Sequence, residues 1–310
     1  MKLLIITQKV DINDDDLGFF HDWLVKLAQR ADLLVIANQV GVYNLPSNAV
    51  VYSLGKEQGK GKLMKLFYFQ RLLWRLLPKV DGVFFHMCAE YVLGAGILIK
   101  IFKKKSLLWY AHKNVSWRLR LASWLVDKIF TPSRESCRLE SSKKIEITGH
   151  GIDMEKFVSK PSVLPVDGGV FHIISVSRIA PVKNIHILLE VAEILKNRNF
   201  NFHINVAGSP IIDKDKKYFN DLKKILEIKK MESFISFAGM IPNKDIAPFY
   251  QSGNLFINLS NTGSLDKAVL EAMASGIKVL TSNEAFESML APQYFTEKEP
   301  AIIADKIMSL

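Results

Sequence analysis

The sequence predicts an α/β fold made of two doubly wound, Rossmann-like domains, and three observations carry the prediction. Short β-branched and aliphatic runs alternate with helix-period segments along the whole chain, the pattern of parallel sheets with crossover helices. At 310 residues the chain is long enough for two domains, each with its own core. Residues 158–169 (VSKPSVLPVDGG) hold two prolines and two glycines and lack an apolar period, which marks a hinge. An N-terminal domain of residues 1–160 and a C-terminal domain of residues 161–310 follow.

Residues 2–7 (KLLIIT) are the first strand. A single Lys ahead of a short apolar run that turns acidic reads as a strand rather than as a signal peptide. Residues 14–23 (DDDLGFFHDW) join it to the first helix at the carboxyl edge of the sheet, bringing Asp16, Gly18, His21 and Asp22 to the edge where such sheets hold ligands. The plainer alternative for 14–16 is a solvated acidic turn capping the helix. Further strands are expected at 32–37, 50–54, 82–86, 106–112, 128–131 and 144–147. Residues 56–79 (KEQGKGKLMKLFYFQRLLWRLLPK) set Leu63, Leu66, Phe67, Leu72, Leu73, Trp74 and Leu77 among Lys and Arg, as an amphipathic helix does. Its apolar stripe is expected to pack on the sheet, with the charges outside. His86 and His112 each end an expected strand, and His150 stands in the loop before Gly151, so the three form a candidate cluster at one edge. Histidines satisfied within the structure are the alternative. In the second half the strands are expected at 172–177, 203–207, 235–238, 255–258 and 278–281.

The apolar fraction of 49% and charged fraction of 23% are those of a globular protein. Cys88 and Cys137 are the only cysteines, too few for a disulfide framework and in keeping with a reducing cytoplasm. The longest apolar stretch, residues 91–99, is too short to span a bilayer. Charge is uneven: residues 1–160 carry 25 Lys+Arg against 15 Asp+Glu, and the remainder is neutral. The excess concentrates in 56–79 and 100–105 (KIFKKK), which suggests contact with an anionic membrane surface. No nucleic-acid-binding motif accompanies the charge.

Two loops carry the candidate chemistry. Residues 258–276 (NLSNTGSLDKAVLEAMASG) run from a strand through a small-residue turn into a helix. Thr262, Gly263 and Ser264 leave backbone N–H groups at the helix start uncovered, which suits a phosphate. Lys267 adds a cation, and Glu271, one turn on, is at the reach of ribose hydroxyls. The bland alternative is an ordinary strand–helix loop with Glu271 on the surface. Residues 172–178 (HIISVSR) form a strand ending in Arg178, with Lys183 following before the next helix. Both cations thus stand beyond the carboxyl end of a strand.

From here the chain resembles retaining glycosyltransferases of the GT-B fold, of the family 4, "glycosyl transferases group 1" type. VSRIAPVKN followed by LLEVAEIL is similar to that family's Arg–x4–Lys signature. VAGSP (206–210), ISFAGMIPNKDIAPFYQSGNLFINLS (235–260) and LEAMASG (270–276) continue in the family's order, and TGHGIDMEKF (148–157) resembles its Gly-Ile-Asp turn. The likeness is specific from about Thr148 to Ser282. It implies two Rossmann-like domains facing across a cleft, the first supplying the acceptor side and the second binding the donor. It further implies transfer of a sugar from a nucleoside diphosphate to an acceptor hydroxyl with retention, in surface polysaccharide or glycolipid synthesis. The nucleotide sugar is then the substrate, a glycan or lipid-linked molecule the acceptor, and neither cofactor nor metal is called for.

By the same resemblance, Arg178 and Lys183 hold the donor diphosphate, joined by Lys267 and the backbone at Gly263, Ser264 and Leu265. Glu271, the second glutamate of a Glu–x7–Glu motif, holds the ribose. His112 resembles a histidine that the family places after a comparable strand. With Arg178 and Lys183 it makes the catalytic set; Asp16, Gly18, His86, His150 and Asp266 are candidates for the donor sugar or the acceptor. The chain departs from the pattern at Gly263, where the first glutamate should stand, which leaves Asp266 or Lys267 to take the sugar contact. That departure sustains a second reading, a non-catalytic sugar-nucleotide-binding or scaffold protein; another GT-B enzyme, such as a sugar-nucleotide epimerase, is a third. Members of that family usually continue with a final helix that crosses back to the first domain, which residues 161–310 are expected to lack. The expected setting is cytoplasmic, peripheral on the inner face of the membrane.

Overall fold

The structure is a computed structural model that describes residues 1–14, 17–139, 143–157, 169–261 and 263–310. The chain divides into two compact units, residues 1–149 with 242–244, and residues 150–241 with 245–310. The division falls ahead of the expected hinge, of which residues 158–168 and Asp16 of the first loop lie outside the described residues.

In the first unit the elements run β1 (Lys2–Val10), α1 (Gly18–Ala28), β2 (Asp32–Val40), β3 (Ala49–Ser53), α2 (Lys62–Leu76), β4 (Gly82–His86), α3 (Ala89–Ile101), β5 (Lys105–Trp109), α4 (Trp117–Leu125), β6 (Lys128–Thr131) and β7 (Ile145–Ile147). All seven strands are parallel, in the order β3-β2-β1-β4-β5-β6-β7. Alternate residues of one strand serve opposite faces, as a period of two requires. Leu4, Ile6, Leu34 and Ile36 pack under α2, α3 and α4, whereas Ile5, Leu33 and Val35 pack under α1. Helices cover both faces, and so the central strands are apolar throughout.

The second unit begins with the short helix α5 (Met154–Phe157). It continues β8 (Phe171–Val176), α6 (Ile185–Asn197), β9 (Phe202–Ala207), α7 (Asp213–Lys229), β10 (Ile235–Gly239), α8 (Ala247–Gln251), β11 (Leu255–Asn258), α9 (Lys267–Ala274), β12 (Lys278–Thr281) and α10 (Pro300–Ser309). Its five parallel strands order as β10-β9-β8-β11-β12. Ile173 and Ile257 face α6, α7 and α10; Ile174 and Phe256 face α8 and α9. Each of the twelve expected strands is present. The strand expected at 106–112 stops at Trp109, where its ladder with β6 ends at Phe130.

The helix expected in 56–79 is α2, but its stripe is not packed as expected. Phe69, Leu73, Leu76 and the following Leu77 are buried, while Leu63, Leu66, Phe67 and Trp74 are exposed. No helix among the described residues is long and apolar enough to cross a membrane.

Both sheets reverse direction beside their first strand, between β1 and β4 and again between β8 and β11. Such a switch point, beyond the carboxyl ends of the strands, is the usual ligand position in open α/β sheets.

Candidate functional site

The loops after β8 and β11 flank the switch point of the second sheet, and their own hydrogen bonds hold them together. Asn184 donates Nδ2–H to the carbonyl of Leu259 at 2.8 Å, and the Asn261 amide donates to the carbonyl of Val182 at 2.9 Å. Asn184 has φ 55°, a left-handed conformation that Asn tolerates better than most residues. A single turn of 3₁₀ helix, Pro181–Lys183, leads into it. Lys183 is thereby presented across the β11 loop. Its Nζ lies 3.3 Å from Ser260 Oγ and 3.2 Å from Asp266 Oδ1.

Asp266 caps α9 by position, yet its carboxylate is not spent on the helix amides. It accepts from Lys183 and, at 3.2 Å, from Nδ2 of the buried Asn258, whose Oδ1 accepts from Thr281. A mostly buried ion pair therefore stands where the resemblance puts the diphosphate. The helix opens at Lys267, so Gly263, Ser264 and Leu265, expected to offer helix-start amides, lie in the turn before it. Gly263 is buried with φ 59°, and Leu265 is buried in the core under α8 and α9. Thr262 lies outside the described residues.

Glu271 is 4% exposed, which corrects the bland alternative of a surface residue. Its Oε2 accepts from the buried Tyr250 hydroxyl at 2.9 Å, and its Oε1 is 3.1 Å from Lys267 Nζ. Burial, first, and then the facing carboxylate hold the Tyr250 hydroxyl well above its usual range, so it stays a donor. Lys267 is thus drawn one turn along its own helix to Glu271, rather than standing alone as a phosphate ligand. A carboxylate has acceptor capacity for more than these two partners, so ribose hydroxyls remain within its chemistry.

Arg178 follows β8, half-exposed, with Nε 3.6 Å from Oδ2 of Asp215, a buried residue in the first turn of α7. Gly208, at the end of β9, lets this loop close: a Cβ there would come within 1.8 Å of the Ser177 carbonyl oxygen. Each of the three expected cations accordingly faces a carboxylate of the protein. Sequence reasoning missed Tyr250 and Asp215. The Lys267–Glu271 contact had a signal in its i, i+4 spacing, but the other two partners come from separate elements and left no local trace.

The three histidines stand in different settings. His86 is a core residue: its ring stacks on Phe20 at 3.7 Å between centroids, and Nδ1 is 3.1 Å from Thr7 Oγ1. His112 lies three residues past the end of β5 in an exposed loop, where Nδ1 accepts from the Asn114 amide at 3.0 Å. One is enclosed and the other solvated. His150 belongs to the second unit, where burial and the neighbouring Lys267 charge push its imidazole down to about 4. In the first loop Asp14 pairs with Lys9, and its Oδ1 accepts from the Leu17 amide at 2.7 Å within the turn ahead of α1, which carries no side-chain cap. Gly18 opens α1 and His21 accepts from the Asn44 amide.

Residues 159–305 match the family described as glycosyl transferases group 1. The chain is 27% identical over 198 residues to the alpha-monoglucosyldiacylglycerol synthase of Streptococcus pneumoniae, covering 57% of this chain and 43% of that protein. It is 25% identical over 146 residues to WcaL of Escherichia coli, assigned to colanic acid biosynthesis, covering 45% and 34% respectively. The chain thus spans less than half the length of these relatives. In fold it is similar to the crystal structure of Anabaena HepE in complex with UDP and glucose, with a TM-score of 0.78 and 16% identity over 100% of this chain and 89% of that one. It is likewise similar to a sucrose-phosphate synthase of Thermosynechococcus elongatus, with a TM-score of 0.77 and 14% identity over 99% and 89%. Those likenesses show that the chain shares their two-sheet α/β architecture, the GT-B fold.

Proposed function

From the match of residues 159–305 to the family described as glycosyl transferases group 1, we propose that the chain moves a sugar from a nucleoside-diphosphate sugar to an acceptor hydroxyl with retention of configuration. The second unit binds the donor and the first serves the acceptor. The observation that carries this reading is the joined loop pair at the β8/β11 switch point, which holds Lys183 against the turn that opens α9 and buries Glu271 one turn further on. UDP is the nucleotide to test first, since the Anabaena neighbour is described with UDP and glucose.

In the bound state the diphosphate displaces Asp266 from Lys183 and takes Arg178 alongside. As the sugar–phosphate bond breaks, the leaving diphosphate gains charge, and these cations together with the loop amides at Gly263, Ser264 and Leu265 stabilise it. Fixed cations supply the neutralisation that a divalent ion gives elsewhere, so no metal takes part. Asp266, released from Lys183, accepts from the sugar hydroxyls in place of the carboxylate missing at Gly263. Glu271 holds the ribose. Among the remaining sugar or acceptor candidates, His112, Asp16 and Gly18 belong to the first unit and His150 to the second. The core position of His86 suits a supporting role through Thr7.

The acceptor is a lipid-linked molecule or glycan of the cell surface, a reading supported by the names of the glucosyldiacylglycerol and colanic acid relatives. It places the protein on the cytoplasmic face of the membrane. Gly263 together with the Lys183–Asp266 pair favours one other reading, a sugar-nucleotide binder without turnover. Release of UDP from UDP-sugars, with diacylglycerol and glucosyl-lipid acceptors and EDTA present, separates the two. Transfer with an α-linked product from an α-linked donor, lost in Asp266→Asn while UDP binding persists, is the expected result. UDP binding with no transfer to any acceptor would leave the binder reading.

A further inference from the structure

We propose that the outer face of α2, α3 and α4 is a docking surface for an anionic lipid bilayer. This deepens the membrane-proximal part of the reading above and is tested without nucleotide, so the two fail separately. Three stripes of large apolar residues point away from the core on three helices that flank one another. On α2 the stripe is Leu63, Phe67 and Trp74, with Phe67 63% and Trp74 56% exposed. On α4 it is Trp117, Leu121 and Trp124, spaced i, i+4, i+7, with Trp117 61% and Trp124 75% exposed. Between them α3 exposes Ile97 and Ile101.

The helices are held close enough for the stripes to adjoin. A Cβ at Gly94 would come within 3.1 Å of Phe69 on α2, and one at Gly96 within 2.9 Å of Leu125 on α4. Gln70 donates to the Gly94 carbonyl at 2.8 Å, Trp74 meets Phe102 edge-on at 5.4 Å, and Arg118 reaches Glu90 at 3.7 Å. An exposed apolar surface of this extent marks an interaction site in a water-soluble unit.

Charge identifies the occupant. Lys62, Lys65, Arg71 and Arg75 lie on α2 and Arg118 and Arg120 on α4, and neither helix contains an Asp or Glu. Lys103, Lys104 and Lys105 follow α3, whose single acidic residue, Glu90, is the one paired with Arg118. A second copy of the chain would set cations against cations, which opposes association. Anionic headgroups over acyl chains offer negative charge and apolar depth in one plane, and the amphipathic indole rings suit that boundary.

The test is co-sedimentation with phosphatidylglycerol vesicles and with phosphatidylcholine vesicles at 0.1 and 0.5 M salt, with tryptophan quenching by brominated acyl chains. Binding to phosphatidylglycerol alone, weakened by salt, is expected, with quenching. Trp74→Ser/Trp117→Ser/Trp124→Ser should lose the quenching and at least tenfold in binding. Replacing Lys62, Lys65, Arg71 and Arg75 by Gln should cost about fivefold per charge. Of the seven side chains substituted on α2 and α4, six are exposed and Lys65 is partly buried, and unchanged thermal melting verifies the fold. Absence of binding to phosphatidylglycerol, equal binding by both variants, or a dimer of the wild type that the triple variant abolishes would overturn the proposal.

Discussion

Glu271 is the residue whose setting differs most from what a local reading of its helix suggests. A carboxylate this deeply buried is expensive unless donors meet it, and Tyr250 and Lys267 do so on separate oxygens. The Lys267 side was legible in the sequence through its spacing. The Tyr250 side was not, because α8 and α9 meet only through the tertiary fold. His150 is the other residue that the sequence placed correctly in its loop but could not value. Burial and the Lys267 charge lower its folded-state value to about 4 from an ordinary 6.5. The unfolded chain therefore binds the extra proton first, and stability falls as pH drops from about 6.5 through 4, by up to about 3 kcal/mol. Denaturant unfolding of His150→Asn between pH 7 and 4 should give a flatter stability curve than the parent. Parallel curves would remove His150 from this account.

Among the elements, the strands were the most legible, since β-branched runs such as HIISVS and KVLT leave little else for the backbone to do. The exception is instructive. LLWYAH continues the strand composition beyond Trp109, but a strand persists only while a neighbour offers a ladder, and β6 no longer does after Phe130. In α2 the period was legible and the buried side was not, because apolar residues occur nearly all round the helix. The loop pair at the β8/β11 switch point was legible as two cationic loops, but not as a tethered unit. Asn184→Gly keeps the left-handed conformation and removes the tether to Leu259, a loss of about 1 kcal/mol for one hydrogen bond. The expected outcome is a small drop in melting temperature with a fall of about tenfold in nucleotide affinity, as Lys183 loses its fixed position. Unchanged affinity in calorimetry would show that the tether does not position the cation.

At the scale of the whole molecule, two parallel sheets with helices on both faces follow from the strand–helix alternation, and the charge asymmetry follows from plain counting. The division at Gly149 falls at the 148–157 turn, ahead of the hinge that composition marked at 158–169. Not legible were the carboxylate partners of Arg178 and Lys183, which depend on how segments distant in sequence fold back. The central claim is that the β8/β11 switch point is a nucleoside-diphosphate site made by Arg178 and Lys183, with Asp266 yielding to the ligand. Calorimetric titration with UDP, GDP and ADP in EDTA, alongside Arg178→Ala/Lys183→Ala, tests it most directly. The account predicts micromolar binding of one nucleotide, UDP first among them, weakened at least a hundredfold in the double variant, about 2.7 kcal/mol or more. Binding of none of the three, or binding that the double variant retains in full, would contradict it.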